Sequence, residues 1–296
     1  MSDYQFISDY RHIEKYRESF NELAKQIFNL DFKEWYGRGF WDDSYVCYSY
    51  LDGERVIANA SITKMVLTSN GKDYKAIQVG TVMTHPDYRN QGLSAKLMDH
   101  ILDQYEKEYD FIFLFANDTV LEFYPRFGFE KVRESSFSLK TSDLKKQSAQ
   151  PSALRKLDVD NEADFMLMKQ FAAERIPVSS KLGVKGNEHL LMFYFILVFR
   201  DAAYYYEAAD AIVLFEREES ELHVFDIVSK KSIDLEEVIN RLISDETANV
   251  RFYFMPDSGT LNIESAFITE TNDTLFVRPS INVGTEHFTF PLTAHT

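Results

Sequence analysis

The sequence predicts a mixed α/β protein whose main sheet is twisted and mostly antiparallel, with helices on its faces. Two turn signals, Asp52-Gly53 and Asn70-Gly71, join strand-like runs at Tyr45–Leu51, Val56–Leu67 and Ala76–Thr84. The last run ends at Pro86 and leads through a glycine-containing turn into an amphipathic helix, with Leu93, Leu97, Met98, Ile101, Leu102 and Tyr105 on one face. Phe111–Phe115 is apolar without alternation, as a strand buried on both faces would be. A meander that feeds a strand, turn, helix and strand calls for a mixed sheet.

Ahead of the meander, Gln5–Ile7 reads as a short strand and Tyr10–Asn29 as a helix, with Ile13, Tyr16, Phe20, Leu23, Ile27 and Phe28 at near-helical spacing. Leu30–Asp43 is aromatic and irregular, with Phe32, Trp35, Tyr36, Phe40 and Trp41 beside Asp42 and Asp43. These aromatics either roof the core or border a ligand.

The 296 residues suffice for two ordinary domains, and 45% hydrophobic content can supply a core for each. Thr141–Ser152 is polar and ends near Pro151, which sets an expected boundary at about 145–152 and domains at 1–145 and 153–296. The second half then reads as a helix through Arg175, strands at Ile212–Phe215, Leu222–Val228 and Val250–Met255, and a helix at Asp234–Ile243.

The single cysteine, Cys47, excludes an intrachain disulfide and a multi-cysteine metal site, and its strand context predicts a buried thiol. Met1–Ser19 lacks the basic-then-apolar pattern of a signal peptide, so the expected compartment is cytoplasmic. The longest apolar run, Leu190–Phe199, is about half of a roughly 20-residue membrane span and predicts a buried element, not a membrane partner. A net charge of −15 argues against nucleic acid as a partner and suits a cationic substrate, or simply solubility.

The turn before the helix, Arg89-Asn90-Gln91-Gly92-Leu93-Ser94, combines a cation, a glycine and a small residue where a helix start leaves backbone N–H groups free. That is an anion site. Downstream, Phe111–Phe129 holds Asn117 and Tyr124, the latter shortly before Gly128-Phe129.

Together these runs resemble the GNAT superfamily of acyl-CoA-dependent N-acetyltransferases. Its pyrophosphate loop reads Arg/Gln-x-x-Gly-x-Gly/Ala after a strand and before a helix, and Ser94 stands where Gly or Ala is preferred. The resemblance is carried by motifs over residues 40–140 and by element order elsewhere.

It implies a GNAT-like fold and acetyl-CoA as cosubstrate. Backbone groups of Val82, Met83 and Thr84 would meet the pantetheine arm and the thioester carbonyl. The N–H groups of Asn90, Gln91, Gly92, Leu93, Ser94 and Ala95, with the Arg89 side chain, would hold the pyrophosphate. Asn117 would touch the pantetheine or simply cap its helix, and Tyr124 would act as general acid toward the departing thiolate or serve as a core tyrosine.

The strand position where some relatives carry a carboxylate base is Gln78, which cannot accept a proton at neutral pH. Asp42 or Asp43 acting through water is the remaining option. His85, beside Pro86, is expected on the surface.

The element order of the second half resembles a degenerate copy of the same fold. There Asp226-Ile227-Val228 takes the place of Val82-Met83-Thr84, and Ser229–Leu235 lacks a glycine turn, so one cofactor site per chain is expected. The expected activity is acetyl transfer from acetyl-CoA to a primary amine of a small molecule, with monomer and homodimer both open and no metal required. The alternative is a non-catalytic acyl-CoA-binding or interaction protein on the same scaffold.

Overall fold

The computed structural model describes residues 4–144, 154–269, 271–280 and 286–296, which form two open sheets. The expected boundary at 145–152 lies outside the described residues.

The first half begins with β1 (Gln5–Ser8), α1 (Glu14–Phe28) and α2 (Lys33–Gly37). Next come β2 (Tyr45–Asp52), β3 (Arg55–Ser69), β4 (Lys72–Thr84), α3 (Leu93–Tyr105) and β5 (Phe111–Ala116). Short strands β6 (Glu130–Val132) and β7 (Ser135–Lys140) end this half.

The second half contributes β8 (Leu154–Lys156), α4 (Glu162–Glu174), β9 (Gly183–Lys185), α5 (Glu188–Phe193) and β10 (Ala203–Tyr206). It continues with β11 (Ala211–Glu218), β12 (Glu221–Ser229), α6 (Leu235–Leu242), β13 (Asn249–Phe252), β14 (Glu264–Phe267) and β15 (Thr274–Arg278).

Both turn signals act as expected. Asp52 pairs with Arg55 around Gly53, and Ser69 pairs with Lys72 around Asn70 and Gly71, both of which have positive φ. The six apolar residues read onto one face of α3 are its buried residues. Helix α1 starts later than its pattern suggested, at Glu14, and stops where Asn29 turns left-handed and donates its N–H to Lys25 O. The apolar run 190–199 becomes α5 and, after it, a wider helical turn at Tyr194–Val198. Among the described residues no helix is long and apolar enough to cross a membrane.

The first sheet runs β1-β2-β3-β4-β5-β15-β6, with β9 also paired to β3; the second runs β14-β7-β13-β12-β11-β10-β8. In each, one pair is parallel and is joined through a helix: β4 to β5 through α3, and β12 to β13 through α6. The halves also exchange strands. Strand β7 leaves the first half to pair with β13 and β14, whereas β15 returns from the second half to pair with β5 and β6. The inter-sheet core therefore mixes residues such as Leu67, Phe113, Val213, Phe254 and Phe290 from both halves.

Candidate active site

Strands β4 and β5 keep parallel register only from Ala76/Phe111 to Gln78/Phe113. Beyond that pair they separate, and an opening forms between Val79–Thr84 and Leu114–Ala116. A local irregularity in the β3–β4 register between Asn59 and Ser61 accompanies it. Thr81 is held at φ 48 there, and its carbonyl accepts from Asn59 Nδ2 at 3.0 Å. A β-branched residue in left-handed conformation is locally strained, and this strain sits within the stretch of β4 that has left β5.

The turn between β4 and α3 places Arg89, Asn90, Gln91 and Gly92 in solvent, with Leu93 buried and Ser94 and Ala95 half-buried. Asn90 (φ 62) and Gly92 (φ 76) are both left-handed, and nothing lies within 4 Å of where a Cβ on Gly92 would project. Helix α3 has no side-chain cap and no acidic residue in its first turn. Its leading N–H groups and positive dipole end are therefore free for an anion. Ser94, the departure from the loop pattern, is hydrogen bonded through Oγ to Thr84 Oγ1 at 2.8 Å, which ties the helix start to the end of β4.

Past β5, Asn117 accepts from Thr119 N at 3.0 Å, so it caps the turn it opens. That turn is a single 3₁₀ turn, Asp118–Val120, succeeded by another at Tyr124–Phe127, where a longer helix was expected. Pro125 and left-handed Gly128 keep the segment short. Tyr124 is buried beneath α3 against Phe123, Phe129 and Phe276. Burial pushes its phenol up to about 12, so it carries its proton across the neutral range.

Phe32, Trp35, Phe40 and Trp41 are buried together with Tyr45, Phe171 and Phe195, so the aromatic segment roofs a core. Asp43 is exposed and paired with Arg11, and Asp42 accepts from Ser44 N at 2.8 Å in an exposed turn. Neither has the enclosed setting of a base. His85 is buried, contrary to expectation: its ring accepts from Asp87 N and contacts Arg55 Nη2 at 2.7 Å, closing the turn after β4. Cys47 is buried, and desolvation pushes its thiol up to about 12, which leaves it inert at neutral pH.

Sequence reasoning missed the residues that bridge the narrow end of the opening, just past Gln78/Phe113. A Cβ on Gly80 would meet Thr296 O and Oγ1, each at 3.0 Å, and the His295 ring stacks on Phe115 with centroids 3.8 Å apart. His295 Nε2 is enclosed without a partner, and burial holds the ring neutral by lowering its pKa to about 3. A glycine inside a strand signals close approach of backbone. Gly80 carried that signal, but nothing local names a partner so distant in sequence.

The model of the acetyltransferase (GNAT) domain matches residues 12–132. Comparison with curated proteins finds no match. Among solved structures, a probable N-acyltransferase from Enterococcus faecalis V583 superposes with a TM-score of 0.62 at 16% identity, covering 94% of this chain and 72% of that one. Eis1 from Mycobacterium abscessus gives 0.59 at 13% identity, with 93% and 73% covered. A GCN5-related N-acetyltransferase from Kribbella flavida gives 0.56 at 17%, with 93% and 71% covered. At such identities these likenesses speak to the fold, which they extend over nearly the whole chain. The matched domain, its split strand pair and its uncapped helix start agree, and residues 12–132 are similar to the acetyltransferase (GNAT) domain.

Proposed function

We propose that this protein is an acetyl-CoA-dependent N-acetyltransferase that acts by direct transfer on the primary amine of a small molecule. The observation that carries the reading is the uncapped start of α3 at Gly92 beside the opening between β4 and β5. An anion at the helix start and an extended arm running into the opening describe an acyl-CoA.

The residues fit that cosubstrate. Leu93, Ser94 and Ala95 offer backbone N–H groups, Asn90, Gln91 and Gly92 complete the turn, and exposed Arg89 supplies a cation. Val82, Met83 and Thr84 lie on β4 beyond its register with β5, so their backbone faces the opening without a strand partner from that side. Acetyl-CoA would supply an activated acyl group as a thioester. The amine nitrogen bonds the carbonyl carbon, the C–S bond breaks, and Tyr124 gives its phenolic proton to the leaving sulfur while the proton shed by the amine passes to water. Gln78 takes no proton in this scheme. Asn117 acts as a cap, which leaves the pantetheine contact to backbone.

The second half acts in this reading as a degenerate copy that retains the topology and has lost the anion turn, leaving one cofactor site per chain. Acetyl-CoA with a panel of small amines, monitored by thiol release, tests the activity. Tyr124→Phe should lower kcat by about 100-fold with CoA affinity unchanged, in the range of general-acid losses. Bound CoA with no turnover on any amine would favour the acyl-CoA-binding scaffold instead, and an unchanged kcat would remove Tyr124 from the chemistry.

A further inference from the structure

The segment 288–296 is pinned along its length by residues of both sheets. Glu134 accepts from Phe290 N at 2.8 Å and from Thr289 Oγ1 at 3.1 Å, and the Phe290 ring stacks on Phe113 at 4.8 Å. Leu292 N donates to Tyr253 O at 2.9 Å, Thr293 Oγ1 donates to Asp226 Oδ2, and Tyr194 Oη donates to His295 O at 2.9 Å. Farther along, His295 lies on Phe115 of β5 and Thr296 on Gly80 of β4. Both contacts fall just past Gln78/Phe113, the last parallel pair. Two adjacent residues thus span the two lips of the opening.

The firmest of these pins is Asp226. Its carboxylate is fully buried and is gripped by the Arg175 guanidinium through bonds of 2.7 and 3.0 Å, with the Arg175 side chain only 5% exposed. A buried ion pair is a poor stabiliser compared with apolar packing, so its specific partners matter more than its presence. Here the remaining partner is Thr293, itself buried in the turn Leu292–Ala294. The fork fixes the carboxylate and the carboxylate fixes the hydroxyl, so the turn is held three residues before the one that abuts Gly80.

We propose that Asp226, on the second sheet, is a positioning residue for the acyl-transfer site: held by Arg175, it anchors Thr293 and so seats His295 and Thr296 across the β4–β5 opening. This role rests on the reading of that opening as the transfer site. It gives the second half a task at the first half's site without requiring it to bind cosubstrate.

Asp226→Ala would leave Arg175 buried without a counter-charge and so put folding itself at risk. The decisive pair is therefore Thr293→Val and Thr293→Ser, which remove and keep the hydroxyl at nearly constant shape. Two readouts are taken on the full chain: steady-state kinetics with acetyl-CoA, and amide hydrogen exchange of the peptide covering 291–296. Thr293→Val should speed exchange in that peptide by about tenfold and lower kcat by about tenfold, with the Kd for CoA within about twofold and exchange in α3 unchanged, whereas Thr293→Ser should resemble the parent. Unchanged exchange in Thr293→Val overturns the anchor, and faster exchange with unchanged kcat overturns its link to transfer. If the parent binds CoA but turns over no amine, the functional reading fails by itself, and the exchange result still decides whether Asp226 holds the segment.

Discussion

The units β4-α3-β5 and β12-α6-β13 share a topology and differ at the start of the helix. Helix α3 begins after left-handed Gly92 with no capping side chain and no acid in its first turn. Helix α6 begins at Asp234, whose carboxylate accepts from Glu236 N and Glu237 N at 2.9 and 3.3 Å, and both of those residues are acidic. One helix leaves its first N–H groups and dipole without a capping side chain, and the other satisfies them with its own anion. The segment 288–296 reaches both openings through different residues: His295 and Thr296 meet the first at Phe115 and Gly80. Past Val224/Phe252, the last parallel pair of the second sheet, Leu292 and Thr293 occupy the place through Tyr253 and Asp226. On the proposed reading, competence to hold a nucleotide cosubstrate depends on the turn before the helix, and the shared topology does not decide it.

Giving α3 the start that α6 has should erase the difference. Gly92→Asp places a carboxylate where the proposed pyrophosphate would bind, at a backbone angle that Asp tolerates better than most residues. Like charges about 4 Å apart repel by several kcal/mol at a protein surface, so CoA should bind at least about 100-fold more weakly by calorimetry. The thermal midpoint should move little, which separates lost binding from lost folding. CoA affinity within about twofold of the parent would remove the α3 start from the site.

A second contrast lies where the chain crosses between sheets. Glu134 sits between β6 of the first sheet and β7 of the second, and desolvation raises its carboxyl to about 7. The unfolded chain releases that proton near 4.5, so between the two values the folded state binds more protons and stability falls as pH rises. Above pH 7 that loss is complete. Glu134→Gln keeps an oxygen to accept from Phe290 N and Thr289 and has no charge to desolvate. It should stabilise the protein by on the order of 2 kcal/mol at pH 8 and flatten the pH dependence between 4.5 and 7 in denaturant titrations. An unchanged slope would show that Glu134 is ionised in the fold at no cost.

Much of this organisation is legible in local sequence because it is produced by local physics. The hairpins at Asp52-Gly53 and Asn70-Gly71, the face of α3 and the glycine turn before it each arise from residues within about a dozen positions of one another. The strand exchange is not legible in this way. Ser135–Lys140 and Thr274–Arg278 carry ordinary strand patterns, and which sheet each joins is decided by the packing of the inter-sheet core. His295 and Thr296 are illegible for the same reason, since their contacts with Phe115 and Gly80 are set by a path through Glu134, Tyr253 and Asp226. The short turns after Asn117 show a third limit: the motif marked the capping residue correctly, but Pro125 and Gly128 set the length of the helical segment beyond it.

The converse change, Asp234→Ala, tests how far α6 is from α3. Loss of the cap leaves the Glu236 and Glu237 N–H groups to solvent and should cost about 1 kcal/mol in denaturant titrations. It should not create a second CoA site: Glu236 and Glu237 still place negative charge at the helix start, Ser229–Leu235 still has no glycine to let a phosphate approach the backbone, and Thr293 still fills the strand opening. Calorimetric titration should therefore still saturate at one CoA per chain. A second equivalent bound by Asp234→Ala would mean that a single carboxylate separates the two units, and that the turn sequence and the plugged opening contribute little.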